Sequence, residues 1–112
     1  MKKLEIIIRP EKLEEAKTVL GEFDVSGLMI SHIMGYGNQK GYTQLYRGTE
    51  YEVALRPKTK IETVIDDDMV SGLVAKLTDT LKTGYFGDGK IFVYNVEDAI
   101  RVRTGETGKN AL

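Results

Sequence analysis

The stretch Lys2-Lys3-Leu4-Glu5-Ile6-Ile7-Ile8-Arg9-Pro10-Glu11-Lys12-Leu13 changes period in its middle. Up to Arg9 it alternates, with Leu4, Ile6 and Ile8 on one face and Glu5, Ile7 and Arg9 on the other, the pattern of a half-buried strand. Pro10 suits the first turn of a helix, where a missing N–H costs nothing. Leu13, Ala16, Val19, Leu20 and Phe23 follow at helical spacing, with Glu11, Glu14 and Glu15 early. The segment reads as a strand feeding an amphipathic helix that ends near Phe23.

Outward from there the same two periods recur. Gly27 opens a second strand, residues 28–36, closed by Gly35 and Gly37. Residues 37–55 carry few aliphatic residues in any period and read as a long loop of the functional kind. After Pro57, residues 58–65 form a third strand, with Ile61, Thr63 and Ile65 opposed by Glu62 and Val64. Asp66-Asp67-Asp68 precedes a second helix striped by Leu73, Val74, Leu77 and Leu81, and Gly84 suits its C-terminal cap. The acidic triplet fits favourable charge at a helix N-terminus better than a metal site. A glycine-rich turn over 84–90 leads to a last strand, residues 91–96, and a tail over 97–112.

The order is β-α-β-β-α-β. It predicts an α+β, ferredoxin-like fold, a four-stranded antiparallel sheet with both helices on one face, as a single domain over 1–112. Ile7, Met29, Ile33, Val64 and Phe92 fall on the uncovered face, which predicts a homo-oligomer packed through it.

Composition narrows the function classes. The 112 residues have 41% hydrophobic content, enough for one modest core, and a net charge of −1, which gives no global attraction to nucleic acid or anionic lipid. Cysteine is absent, which removes disulfides, thiolate nucleophiles and zinc–cysteine sites. His32 is the single histidine, so a histidine triad is not expected. There is no apolar run of membrane-span length and no signal-peptide pattern, so the expected location is cytoplasmic.

Three stretches suit anion binding. Gly84-Tyr85-Phe86-Gly87-Asp88-Gly89-Lys90 fits G-x-x-x-x-G-K, but Ile91 replaces the Ser or Thr of a P-loop and the segment leads from helix to strand, the reverse order. Its physics still applies, because glycines let backbone N–H groups converge on an anion and lysine adds a full charge. Gly35-Tyr36-Gly37-Asn38-Gln39-Lys40-Gly41 could form a second, weaker cradle. Arg101-Val102-Arg103, read as extended, would point two arginines to one side for bidentate phosphate contacts. Ile91-Phe92-Val93-Tyr94-Asn95-Val96 looks like an RNA-binding RNP2 motif, but it sits on the last strand and has no RNP1 companion.

Together these stretches resemble the PII signal-transduction proteins over the whole chain. Tyr46-Arg47-Gly48-Thr49-Glu50-Tyr51 resembles the family's T-loop signature. Thr83-Gly84 with Gly87-Asp88-Gly89-Lys90-Ile91-Phe92-Val93 resembles the B-loop, and Arg101-Val102-Arg103-Thr104-Gly105-Glu106 the C-loop. The corresponding segments are a T-loop near 37–55, a B-loop near 82–90 and a C-terminal loop near 97–112.

The resemblance implies a cytoplasmic homotrimer whose inter-subunit clefts bind ATP and ADP in competition. Magnesium and 2-oxoglutarate are implied beside ATP. The T-loop would control a partner protein: a transporter, a nitrogen-metabolism enzyme or a transcription regulator. Such proteins are regulators rather than enzymes. They bind no nucleic acid directly and reach a membrane only through a transporter.

By position, the resemblance puts Ile7, Gly35, Gly37, Asn38, Gln39, Glu62, Val64, Thr83, Gly87, Asp88, Gly89, Lys90, Arg101 and Arg103 in the nucleotide cleft. Gln39 would contact magnesium, and Gln39, Lys40, Gly41 and Lys58 would hold 2-oxoglutarate. Tyr51 and Thr49 match positions that some members modify.

Three departures bear on this. Asn38 replaces a common arginine, Met29 replaces a threonine near the adenine, and the T-loop centre differs at Gln44-Leu45 and over 52–56. They motivate an alternative, an adenylate-only energy sensor acting on a membrane transporter. More distant readings are an RNA-binding domain and a weak ATP hydrolase, for which no general base stands out beyond Glu62 or Asp88.

Overall fold

Leu4, Ile6 and Ile8 are almost fully buried, and the residues between them are not, as alternation requires. They belong to β1 (Lys2–Ile8), which pairs antiparallel with β5 (Leu55–Ile65) on one side and β6 (Gly89–Asn95) on the other. The outer strand β2 (Met29–Tyr36) completes a sheet of order β2-β5-β1-β6. The computed structural model of the chain describes residues 1–25, 27–36, 43–46, 49–52 and 55–112, with the backbone alone for 43–46 and 49–52.

Helices α1 (Leu13–Glu22) and α2 (Val70–Leu81) cover one face. Each follows a 3₁₀ turn, Pro10–Lys12 and Asp67–Met69. Ala16, Val19 and Leu20 from α1 and Leu73, Leu77 and Leu81 from α2 meet Leu4, Ile6, Ile8, Ile61 and Ile65 in one core. Each of the Val, Leu and Ile side chains among them contributes roughly 1.5–3 kcal/mol by leaving water. The ferredoxin-like α+β arrangement is therefore present as expected.

The differences have physical causes. Residues 43–52 include an antiparallel pair, β3 (Thr43–Tyr46) and β4 (Thr49–Glu52), which the sparse apolar content hid. Strand β5 starts at Leu55 and carries Pro57 within it, opposite Met34. The ladder to β1 ends at Ile8–Thr59, so a residue without an N–H is tolerated there. Gly84 does not cap α2. The helix ends on Lys82 in an extended conformation, and Gly84 lies beyond it in the following turn.

The uncovered face is less apolar than expected. Ile7, Met29, Ile33, Val64 and Phe92 do share it by register, but Lys3, Glu5, Lys58, Lys60, Glu62 and Lys90 are interleaved with them.

Candidate functional site

The turn between α2 and β6 is built around one carboxylate. Asp88 accepts hydrogen bonds from the Thr83 backbone N–H (2.7 Å), the Thr83 hydroxyl (2.5 Å), the Gly84 N–H (3.0 Å) and the Arg9 Nε (3.1 Å). The Thr83 hydroxyl in turn accepts from the Tyr85 N–H at 3.2 Å. Two cations take the loop's carbonyls. Arg9 Nη2 donates to the Phe86 carbonyl at 2.5 Å, and Lys58 Nζ donates to the Gly87 carbonyl. The N–H groups of Phe86, Gly87 and Asp88 have no acceptor among the described residues.

Carbonyl oxygens are thus neutralised by cations while neighbouring N–H groups stay available. That is the polarity an anion needs. The resemblance puts Asp88 in the nucleotide cleft. Its oxygens are turned into the loop, where they hold its shape.

The Thr83 hydroxyl, with help from Arg9 and the Thr83 and Gly84 amides, keeps the Asp88 carboxyl far below the usual carboxylate range, against the opposing effect of desolvation. A depressed folded value means stability that is present above the unfolded pKa and is lost as pH falls through the folded one. Asp88→Asn should therefore lower stability at pH 7 by about 1–2 kcal/mol. The gap to the parent should narrow below about pH 4, as the carboxyl protonates in the parent's unfolded state while the folded one stays ionised. Asp66 is depressed too, mainly by its hydrogen bond to Lys109, and adds its own acid dependence to both proteins. The difference between the two urea-unfolding curves against pH is therefore the measure, and a constant gap from pH 7 to pH 2 would refute the role given to Asp88.

Beside the loop lies a cavity of about 340 Å³ lined by Arg9, Pro10, Glu11, Arg56, Pro57, Lys58 and Phe86. Burial, then the neighbouring Arg9, pushes the Lys58 ammonium down. Gly35 faces the Lys58 stem, since a Cβ there would sit 3.2 Å from Lys58 Cγ. Ile7 pairs with Lys90 on one side and Lys60 on the other. Sequence reasoning treated Arg9 only as a strand residue. No local signal marks it, because its partners Phe86 and Asp88 are more than 70 positions away.

A second group of candidates gathers toward the other end of the sheet. Glu62 and Val64, with Met29, line a cavity of about 550 Å³ closed by Asp66, Lys109 and Leu112. Glu62 pairs with Lys3 at 3.4 Å and Lys60 at 3.6 Å. Arg101 is tied to this end through the Leu112 carbonyl, 2.9 Å from Nη2. The tail is not extended at Arg101 and Arg103, as the sequence suggested. It turns, with Gly105 N–H donating to the Arg101 carbonyl at 2.7 Å and Arg101 N–H to the Glu106 carbonyl at 2.8 Å. Arg103 is exposed and makes no ion pair among the described residues.

Gly89 opposes Ile8 while Val64 opposes Lys3, five residues along the strand, or roughly 17 Å. One chain therefore does not bring its glycine loop and its Arg101 together. Gly37, Asn38, Gln39, Lys40 and Gly41 lie outside the described residues, as do the side chains of Thr49 and Tyr51. No group of three or more His, Cys, Asp or Glu that could hold a metal occurs among the described residues. Asp66 pairs with Lys109 at 2.7 Å and Asp67 with the N-terminal amine at 3.0 Å. Among the described residues no helix is long and apolar enough to cross a membrane.

Comparison with known proteins identifies the family. The family model described as Nitrogen regulatory protein P-II matches residues 1–106. The chain is 50% identical to the Nitrogen regulatory protein P-II of Mesorhizobium japonicum, 51% to that of Cereibacter sphaeroides and 47% to that of Haemophilus influenzae. Each match runs over 112 residues and covers all of both chains. A whole-chain match of this kind, on a ferredoxin-like sheet with a glycine-rich loop, means that the chain belongs to the nitrogen regulatory protein P-II family.

Proposed function

We propose that the protein is a trimeric regulator that binds ATP and ADP in competition in clefts between copies, and that it acts on a partner protein through residues 37–55. The observation that carries this is the loop over 83–90, where Arg9 and Lys58 hold the Phe86 and Gly87 carbonyls while the N–H groups of Phe86, Gly87 and Asp88 and the Lys90 side chain are left to meet phosphate. The separation of that loop from Arg101 within one chain supports a shared site. The loop of one copy and the arginines of another would together offset the charge of a nucleoside triphosphate.

Magnesium and 2-oxoglutarate are proposed as co-ligands through Gln39, Lys40, Gly41 and Lys58. A cationic cavity beside the loop suits a dicarboxylate. Asn38 favours a second reading, an adenylate sensor without a 2-oxoglutarate response.

Calorimetric titration with ATP and with ADP, each with magnesium and with or without 2-oxoglutarate, tests both. Binding of 2-oxoglutarate only alongside magnesium and ATP supports the first. Adenylate binding indifferent to 2-oxoglutarate supports the second, and absence of adenylate binding refutes both. Lys58→Ala should abolish the 2-oxoglutarate effect. ADP affinity should stay nearly intact, because among the described residues Lys58 meets the loop only through the Gly87 carbonyl. An equal loss of both would contradict the division of labour.

A further inference from the structure

We propose that Glu106 and Lys109 are positioning residues that hold the Arg101 guanidinium ready for phosphate, Glu106 directly and Lys109 through the chain segment it anchors. This rests on the reading of Arg101 as a nucleotide contact.

Arg101 is gripped at both terminal nitrogens. Nη1 donates to Glu106 Oε1 at 3.2 Å, and Nη2 donates to the Leu112 carbonyl at 2.9 Å. Five N–H donors fan out from a guanidinium. Two such bonds fix its plane and leave the others for a bidentate contact. An arginine frozen in advance loses less rotamer freedom when an anion arrives.

Both grips are themselves held. Glu106 Oε1 also accepts from the Thr104 hydroxyl at 2.8 Å, and the Glu106 N–H donates back to that hydroxyl at 3.2 Å. Glu106 is thereby locked inside the turn that Arg101 opens. A bridge between Ile100 and Thr107 closes the base of that turn. The Gly108 N–H donates to the Ala99 carbonyl at 3.0 Å and to Asp98 Oδ1 at 3.1 Å, which starts the 3₁₀ turn Gly108–Ala111. Lys109, in that turn, reaches Asp66 at 2.7 Å, just ahead of α2. The ion pair pins the segment that presents the Leu112 carbonyl to the body of the domain. Glu106 also brings negative charge close to a proposed phosphate site. Orientation must therefore outweigh repulsion for this arrangement to favour binding, and that makes the proposal testable by sign.

The experiment is a double-mutant cycle read by titration with ATP and ADP, on assemblies checked for fold and mass. Glu106→Ala and Lys109→Met should each weaken binding by about 3–10-fold. Glu106→Gln and Lys109→Arg, which keep the hydrogen bonds, should stay within about twofold of the parent. In an Arg101→Ala background neither loss should appear, because a residue acting through Arg101 has nothing left to position. Losses that persist undiminished in that background, unchanged affinity, or tighter binding by Glu106→Ala would overturn the proposal. If Glu106→Ala does not fold, Lys109→Met decides by the same criteria. Failure of the parent protein to bind either nucleotide would instead refute the underlying reading, and this proposal with it.

Discussion

Gly89→Ala is expected to destabilise the protein by about 3–5 kcal/mol, among the largest effects any single substitution in it can have. Gly89 has φ +105°, a region that side chains rarely adopt. A Cβ there would lie 1.8 Å from the Ile7 carbonyl oxygen, 2.8 Å from the Ile7 carbonyl carbon and 3.2 Å from the Ile8 Cα. All three are backbone atoms of the central strand, so no side chain can swing away to make room. Either the end of the β1–β6 ladder opens or the loop over 83–88 is dragged out of its Asp88-centred shape. The melting temperature should fall by roughly 10–20 °C. Gly84→Ala is the control. Its φ is +87° but nothing lies within 4 Å, so only the conformational cost of about 1–2 kcal/mol is expected. Similar melting temperatures for the two variants would mean that the close approach at Gly89 is not what demands glycine.

The second large effect concerns ligand affinity. Lys90→Ala and Arg101→Ala should each weaken ATP by roughly 1.5–3 kcal/mol, the scale of a charge-assisted hydrogen bond, or about 10–150-fold. Lys90 is exposed, so its loss should leave the fold intact. Unchanged affinity in a folded assembly would remove either residue from the site. The placement of these residues at opposite ends of the sheet adds a sharper test. If a cleft takes its loop from one copy and Arg101 from the next, Lys90→Ala and Arg101→Ala chains refolded together should regain full-affinity binding. Random mixing would restore about a quarter of the clefts. No recovery in a verified mixed assembly would refute the shared site.

Much of this was legible from periodicity. Leu4, Ile6 and Ile8 at period two, and Leu73, Leu77 and Leu81 at helical spacing, name their elements because one face of each must leave water. The glycine-rich turn was legible as well, since only glycine takes φ values of +87°, +91° and +105° without strain. The strands β3 and β4 were not, because neither carries an alternating apolar face. The bend at Arg101 was missed for a similar reason. It is made by Gly105, Thr104 and Glu106 hydrogen-bonding back to the arginine, and polar turns of this kind have no period.

Sequence alone determined the order of the elements that build the main sheet and its helices, the sheet's two faces and the family, because each depends on residue type and spacing along the chain. Tertiary structure alone decided which atoms of the glycine loop are free. Arg9, just after β1, and Lys58 of β5 take its carbonyls, and Asp88 folds inward to Thr83. It alone also separated that loop from Arg101. Hydrogen bonds between distant residues select donors and acceptors by position in space, and the spacing of residues along a chain carries no record of that choice.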